Sequence, residues 1–295
     1  MIDKIINTKK LEDAEVVILS APYEGSVSFM GGTAKGPKKI IECLDNNLEL
    51  FDVNLLCEPS KKLKTTHLLI KGLEKLDSKK CVEKISESYN KFSNKFPILL
   101  GGEHIVSLGA FENIAKKHNA KDITIFQIDA HQDLRDDNSD YSDKHNKYAH
   151  SCVMRRAHDL GFNLVQVGIR TFSRYEYEFE EKNKKTIKVF PWKKDSKIPK
   201  IEEIIKSIKT KKVYISLDVD GIDPSFMPGT GTPVQGGLDW NYTLNLLEKV
   251  FDKKEVIGAD IVEVAPQRDS VLTEFGAALI CYKMMAYKFK KKLLS

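Results

Sequence analysis

The chain has 295 residues, 41% hydrophobic and 30% charged, with 10 prolines and 17 glycines, a composition that argues against a disordered, collagen-like or membrane-channel protein. Its 47 Lys and Arg stand against 42 Asp and Glu, for a net charge of +5. The two signs are interspersed along nearly the whole length, so no nucleic-acid partner is expected, and the dense basic run from Lys288 to Lys292 reads as a solvated helix end. No run approaches the roughly 20 apolar residues of a membrane span, and Met1-Ile2-Asp3-Lys4 lacks the apolar region of a signal peptide. A cytoplasmic protein with no membrane partner is therefore expected. Cys43, Cys57, Cys81, Cys152 and Cys281 are scattered without a C-x-x-C pair and read as reduced thiols.

In chain order, short β-rich runs fall at 16–20, 97–100, 123–129, 164–169, 187–190, 213–218 and 256–264, with a weaker one at 48–51. Helix-period segments lie between several of them: Val82, Ile85, Tyr89 and Phe92 share one face, and Ile201, Ile204, Ile205 and Ile208 another. Strands that alternate with helices imply a parallel sheet, and continuous runs such as Ile98-Leu99-Leu100 suit strands buried on both faces. With no repeat or linker, the expectation is one three-layer α/β/α domain spanning 1–295, with a mostly parallel sheet of about eight strands.

Ligands of open α/β sheets bind beyond the carboxyl ends of the strands. Five strand ends carry unusual residues: Gly101-Gly102-Glu103-His104, Asp129-Ala130-His131-Gln132-Asp133, Arg170-Thr171, Asp218-Val219-Asp220-Gly221, and Glu263. Asp129, His131 and Asp133 alternate at period two and point the same way while the chain stays extended. Asp218 and Asp220 repeat that spacing. Alone, such acids are often solvated strand ends. If they converge, four carboxylates repel one another and their pKa values rise, unless two divalent cations offset them. This composition predicts a two-metal site of oxygen and imidazole ligands, with zinc a competitor for the metal. His150 follows a polar loop and reads either as a surface histidine or as a proton shuttle. Glu263 could pair with a guanidinium or simply end a strand. The segment Gly229-Thr230-Gly231-Thr232-Pro233 lacks phosphate-loop spacing and reads as a rigid turn. His67, His118, His145 and His158 have no motif around them.

Taken together with Ala21-Pro22-Tyr23-Glu24-Gly25, Gly36-Pro37, Met154-Arg155-Arg156, Ile222-Asp223-Pro224 and Val264-Ala265-Pro266, these motifs resemble the ureohydrolases, the arginase and agmatinase family, and are most similar to agmatinases. The resemblance covers most of the chain. It implies two manganese ions per subunit, other divalent metals being open, one held by His104, Asp129, Asp133 and Asp218 and the other by Asp129, His131, Asp218 and Asp220. In the family a metal-bridging hydroxide attacks the guanidinium carbon to give urea and an amine. Carried onto this chain, Asp133 hydrogen-bonds the intermediate and helps protonate the leaving amine, His150 shuttles protons, and Glu263 orients the guanidinium. The expected reaction is agmatine to putrescine and urea in polyamine biosynthesis. N1-aminopropylagmatine is the runner-up, and arginine and guanidinobutyrate are further guanidino substrates. The acids of the 134–149 loop favour a cationic tail, and Arg135 argues mildly the other way. Met30, Ala34 and Arg268 depart from the family pattern where loops shape the substrate mouth or a subunit contact. A homotrimer or hexamer is implied. A single-zinc deacetylase and a catalytically inactive regulatory homologue are the readings set against this one.

Overall fold

A computed structural model of the chain describes residues 4–92, 94–192 and 197–295. Eight strands form one sheet, β1 (Val16–Ala21), β2 (Thr65–Leu69), β3 (Phe96–Gly101), β4 (Ile123–Ile128), β5 (Asn163–Ile169), β6 (Ile187–Pro191), β7 (Lys212–Asp218) and β8 (Glu255–Val262), in the order β2-β1-β3-β8-β7-β4-β5-β6. Every pairing is parallel, so all carboxyl ends share one edge. The helices are α1 (Gly36–Asn46), α2 (Pro59–Lys62), α3 (Ser78–Ser88), α4 (Ser107–Lys117), α5 (Val153–Asp159), α6 (Arg174–Lys182), α7 (Ile201–Ser207), α8 (Trp240–Lys253), α9 (Leu272–Lys288) and α10 (Lys290–Leu294). Among the described residues, no helix is long and apolar enough to cross a membrane.

Period-two alternation sorts the strand side chains into two cores. Val16, Ile18, Ile98, Ile215 and Leu217 pack with residues of α1, α7, α8 and α9 on one face. Val17, Leu19, Leu99, Ile125 and Tyr214 pack with α3, α4 and α5 on the other. This is the three-layer α/β/α arrangement expected from the sequence. The helix faces carrying Val82 and Ile85, and Ile204, supply buried residues to these cores.

Three details differ from the sequence reading. The eighth strand is Thr65–Leu69, and 48–51 forms no strand; there Leu50 O accepts the Tyr282 hydroxyl and Asp52 bridges Cys57. As an edge strand, β2 is buried only at its start, so it lacks the continuous apolar signature of the inner strands. The last strand stops at Val262 because Glu263 adopts a left-handed backbone, φ 62°. The basic run at the C-terminus is not simply solvated. Lys288 donates to Val256 O, Lys290 pairs with Glu248 and Asp252, and Lys292 pairs with Glu15.

The four central strands, β3, β8, β7 and β4, are those whose ends carry the acidic and histidine motifs. Their approach is fixed in part by Gly221, where a Cβ would stand 2.5 Å from the Asp129 amide nitrogen. Backbone cannot yield there without moving the end of β4. Gly221→Ala is expected to lower stability by about 1–3 kcal/mol, read from the midpoint of urea unfolding; an unchanged midpoint would show that the two strand ends have slack.

Candidate metal centre

The site begins one residue row beneath the strand ends, with polar groups inside otherwise apolar strands. The sheet register places Gln166 of β5 beside Gln127 of β4, Gln127 beside Ser216 of β7, and Ser216 beside Asp260 of β8. All four side chains are buried. Gln166 donates to Gln127 Oε1 and to Gln132 O, and Gln127 donates to Asp129 Oδ2 at 2.7 Å. Ser216 Oγ donates to Asp260 Oδ1 at 2.8 Å and lies 2.9 Å from His104 Nε2. A hydroxyl has one proton to give, so His104 must be the donor to Ser216. That places a proton on Nε2 and turns Nδ1 toward the carboxylates.

Above this row the predicted residues converge. His104 Nδ1 lies 3.0 Å from Asp133 Oδ2, 3.2 Å from Asp129 Oδ2 and 3.4 Å from Asp218 Oδ2. His131 Nδ1 lies 3.0 Å from Asp220 Oδ2 and 3.5 Å from Asp129 Oδ1. Asp129 thus offers one oxygen to each cluster, and both clusters have the spacing of metal-ligand groups. The second oxygen of Asp218 accepts the Asp220 amide. Despite three carboxylate neighbours, His104 Nδ1 is a buried atom without a hydrogen-bond partner. Burial opposes a charge on this ring, but Asp129, Asp133 and Asp218 outweigh that and raise it well above its ordinary range: Nδ1 and these oxygens call for a cation between them, a proton or a metal ion, and the oxygen and imidazole set suits a divalent one. The residues therefore fit a metal pair.

Electrostatics agree in part with the expectation of mutual repulsion. Burial and the neighbouring Asp129 push the Asp133 carboxyl up to about 7, and burial with Asp220 and Asp129 raises Asp218 well above the carboxylate range. Asp129 goes the other way. Burial opposes its charge, but contacts with His104 and His131 outweigh that and hold it low. Strand geometry also differs from a simple extension of period two. The chain leaves β4 at Ile128, and Asp133 reaches the cluster through a left-handed backbone, φ 54°. Its carbonyl accepts Arg155 N, while the following Leu134 N is held by Glu176 at the capping box of α6.

The clusters open onto a cavity of about 320 Å³ that also receives His150, Glu263, Arg135 and Phe172. His131 is the ligand-type side chain most open to it, at 27% exposure against 1% for His104. Glu263 Oε1 accepts the His104 amide at 2.6 Å, and burial, then Glu103, raises its carboxyl well above the usual range. Burial and nearby His131 pull the His150 ring down to about 4, so it is neutral near pH 7. All eight predicted site residues thus border one cavity or the clusters beneath it.

Sequence reasoning missed Ser216, Asp260, Gln127 and Gln166, whose signal is a polar residue within an apolar strand. It also gave Arg170 no role. That guanidinium is bound by the carbonyls of Gly168, Asp220, Gly221 and Val234, and so ties the ends of β5 and β7 together. The loop acids need correction. Asp136 pairs with Arg156 and Lys147, and Asp140 with Arg135, while Asp136, Asp137 and Asp140 line a separate recess rather than the cavity. They cannot serve there as free partners for a cationic tail.

Comparison with known proteins now assigns the family. A model of the arginase family matches residues 14–286. The chain is 37% identical over 283 residues to a Synechocystis protein named N(1)-aminopropylagmatine ureohydrolase, covering 93% of this chain and 89% of that one. It is 32% identical over 266 residues to the agmatinase of Bacillus anthracis, covering 88% and 86%. The structure of agmatine ureohydrolase from Thermoplasma volcanium superposes with a TM-score of 0.82 at 29% identity, covering 99% of this chain and 97% of that one. The chain belongs to the arginase family and is an agmatinase-like ureohydrolase, a hydrolase of guanidino substrates.

Proposed function

We propose that the chain cleaves the guanidino group of an amine-tailed substrate, N1-aminopropylagmatine, to urea and the corresponding polyamine. The observation that carries this reading is His104 Nδ1, buried without a hydrogen-bond partner among three carboxylate oxygens, beside a second histidine and carboxylate cluster in the same cavity. His104, Asp129, Asp133 and Asp218 would hold one divalent cation, and Asp129, His131, Asp218 and Asp220 a second, with manganese the metal that the resemblance implies. When bound, such a pair supplies an acidified water and Lewis-acid stabilisation of developing charge.

The chain's own groups bind and move protons. Glu263 has one oxygen on the His104 amide and the other to receive a guanidinium N–H, which orients the reacting carbon. Asp133 borders the same space and, with its carboxyl raised toward neutrality, can hand a proton to the leaving amine. His150, neutral near pH 7, exchanges protons between cavity and solvent.

Two features bear on the substrate. Arg135 at the cavity wall is already matched by Asp140 and Glu176, so the carboxylate of arginine or guanidinobutyrate finds no unmatched Arg or Lys among the described lining residues. Val27, Phe29 and Met30 form an apolar stretch of the rim, suited to the methylenes of a long amine. The Synechocystis relative's name favours aminopropylagmatine, and the agmatinase relative makes agmatine, with putrescine as product, the second reading. The same proposal takes 1–295 as one ureohydrolase domain working in polyamine synthesis in the cytoplasm as a homotrimer or hexamer.

Manganese-loaded protein offered aminopropylagmatine, agmatine, arginine and guanidinobutyrate in parallel is expected to release urea with the highest kcat/KM on aminopropylagmatine. A preference for arginine or guanidinobutyrate would overturn the substrate reading. Asp129→Ala and Asp218→Ala are each expected to abolish turnover and lower the metal content found by elemental analysis; near-normal turnover in either refutes the ligand assignment. Ser216→Ala, which removes the acceptor of the His104 ring, should weaken metal affinity by roughly 10–100-fold, measured by competition with a chelator. Unchanged affinity would mean that His104 needs no such orientation.

A further inference from the structure

His150 reaches the cavity from a loop, yet one residue far away in sequence holds it at two points. Ser26 Oγ accepts the His150 backbone N–H at 3.0 Å and lies 3.2 Å from His150 Nδ1. The same hydroxyl donates to Glu103 Oε1 at 3.1 Å. Glu103 Oε2 accepts the amides of Gly25 and Ser26 at 2.9 and 2.7 Å; burial raises this carboxyl to about 7, but three donors converge on it, an arrangement that suits the ionised, acceptor-only form. With Glu103 ionised, Ser26 spends its single proton on it. Its remaining lone pair can only accept from His150, which places the ring proton on Nδ1 and the lone pair on Nε2.

We propose that Ser26, backed by Glu103, is the positioning residue that sets the tautomer of His150, presenting Nε2 as the proton-accepting atom in the cavity. The inference rests on the reading of His150 as the proton-carrying group of the ureohydrolase reaction. Chemically it resembles the arrangement at His104, where Ser216 and Asp260 place a proton on Nε2 of the other ring and turn its Nδ1 to the carboxylates. Two histidines of one cavity are thus each set by a serine and a buried carboxylate. In neither pair does the serine face the cavity as a nucleophile, since its proton and its lone pair are both engaged. Without the Ser26 hydroxyl, a neutral imidazole is free to carry its proton on either nitrogen, and the fraction with Nε2 bare falls.

The test is Ser26→Ala, with Ser26→Thr as the hydroxyl-retaining control. Nitrogen-15 NMR of histidine-labelled, zinc-loaded protein reads the tautomer, the His150 signals being assigned by their loss in His150→Gln. The wild-type chain is expected to show His150 protonated at Nδ1. Ser26→Ala should shift the signals toward an Nε2-protonated or mixed ring and lower kcat by roughly tenfold to a hundredfold, with KM for the guanidine little changed. Ser26→Thr should restore both. A Ser26→Ala protein whose His150 stays protonated on Nδ1 overturns the proposal, as does a Ser26→Thr protein that behaves like the alanine variant. Should the wild type release urea from no guanidine, the functional reading fails separately, and the spectra alone decide the tautomer.

Discussion

Three carboxylate oxygens within 3.4 Å of one buried imidazole nitrogen are the constraint around which the rest of this molecule is arranged. Uncompensated charge in a protein interior is very costly, and a buried polar atom left without a partner adds a smaller cost of its own. The fold meets this in two layers. Beneath the clusters, the row Gln166, Gln127, Ser216 and Asp260 crosses four adjacent strands in register and supplies directed hydrogen bonds to Asp129 and His104. Above them, the parallel sheet brings the ends of β3, β4, β7 and β8 to one edge, so residues far apart in sequence meet within hydrogen-bond distance. Neither layer alone would define a ligand set. The row orients Asp129 and His104, and the strand ends set how close the side chains come.

Holding that geometry strains the backbone at two of the residues that matter most. Among the described residues, non-glycine positive φ occurs at Leu56, Asp133 and Glu263, and the last two border the cavity. Each is held from both sides. Asp133 O accepts Arg155 N, and Leu134 N is fixed by Glu176; Glu263 N donates to Gly102 O, while its carboxylate takes the His104 amide. Strained conformations persist where surrounding contacts over-determine them, and here those contacts come from α5, α6 and the turn after β3. The helices on this face of the sheet therefore do more than cover it, since they hold the carboxyl groups in place.

Much of this was legible in the sequence because the chemistry sits directly after strongly apolar strands. Asp129, His131, Asp133, Asp218 and Asp220 stand where a parallel sheet must deliver them to one edge, and the motif order carries the family resemblance. Ser216 and Asp260 were not legible for a physical reason. Their meaning depends on β7 lying beside β8 in a particular register, and strand order is set by packing of the whole sheet. Ser26 is hidden for the same reason, since it acts on a ring 124 residues away. The edge strand Thr65–Leu69 escaped notice because it is half-buried, whereas 48–51 is apolar without being a strand: it packs against the core as a turn.

The loop acids show where linear charge patterning misleads. In sequence, Asp136, Asp137 and Asp140 look like an unpaired anionic patch waiting for a cationic ligand. In the fold, Arg156, Lys147 and Arg135 neutralise Asp136 and Asp140, and Arg135 is in turn tied to buried Glu176. Exposed pairs of this kind contribute little to stability, but they leave Arg135 at the cavity wall already matched. What is left for discrimination is shape and polarity: an apolar rim of Val27, Phe29 and Met30, with Phe29 74% exposed, above an acidic floor. A rim without free cations gives no return for desolvating a substrate carboxylate, whereas methylenes gain from every apolar contact they cover. On the proposed reading, this mouth selects by excluding anionic tails and by the length of the apolar stem, the discrimination that separates an amine-tailed guanidine from arginine.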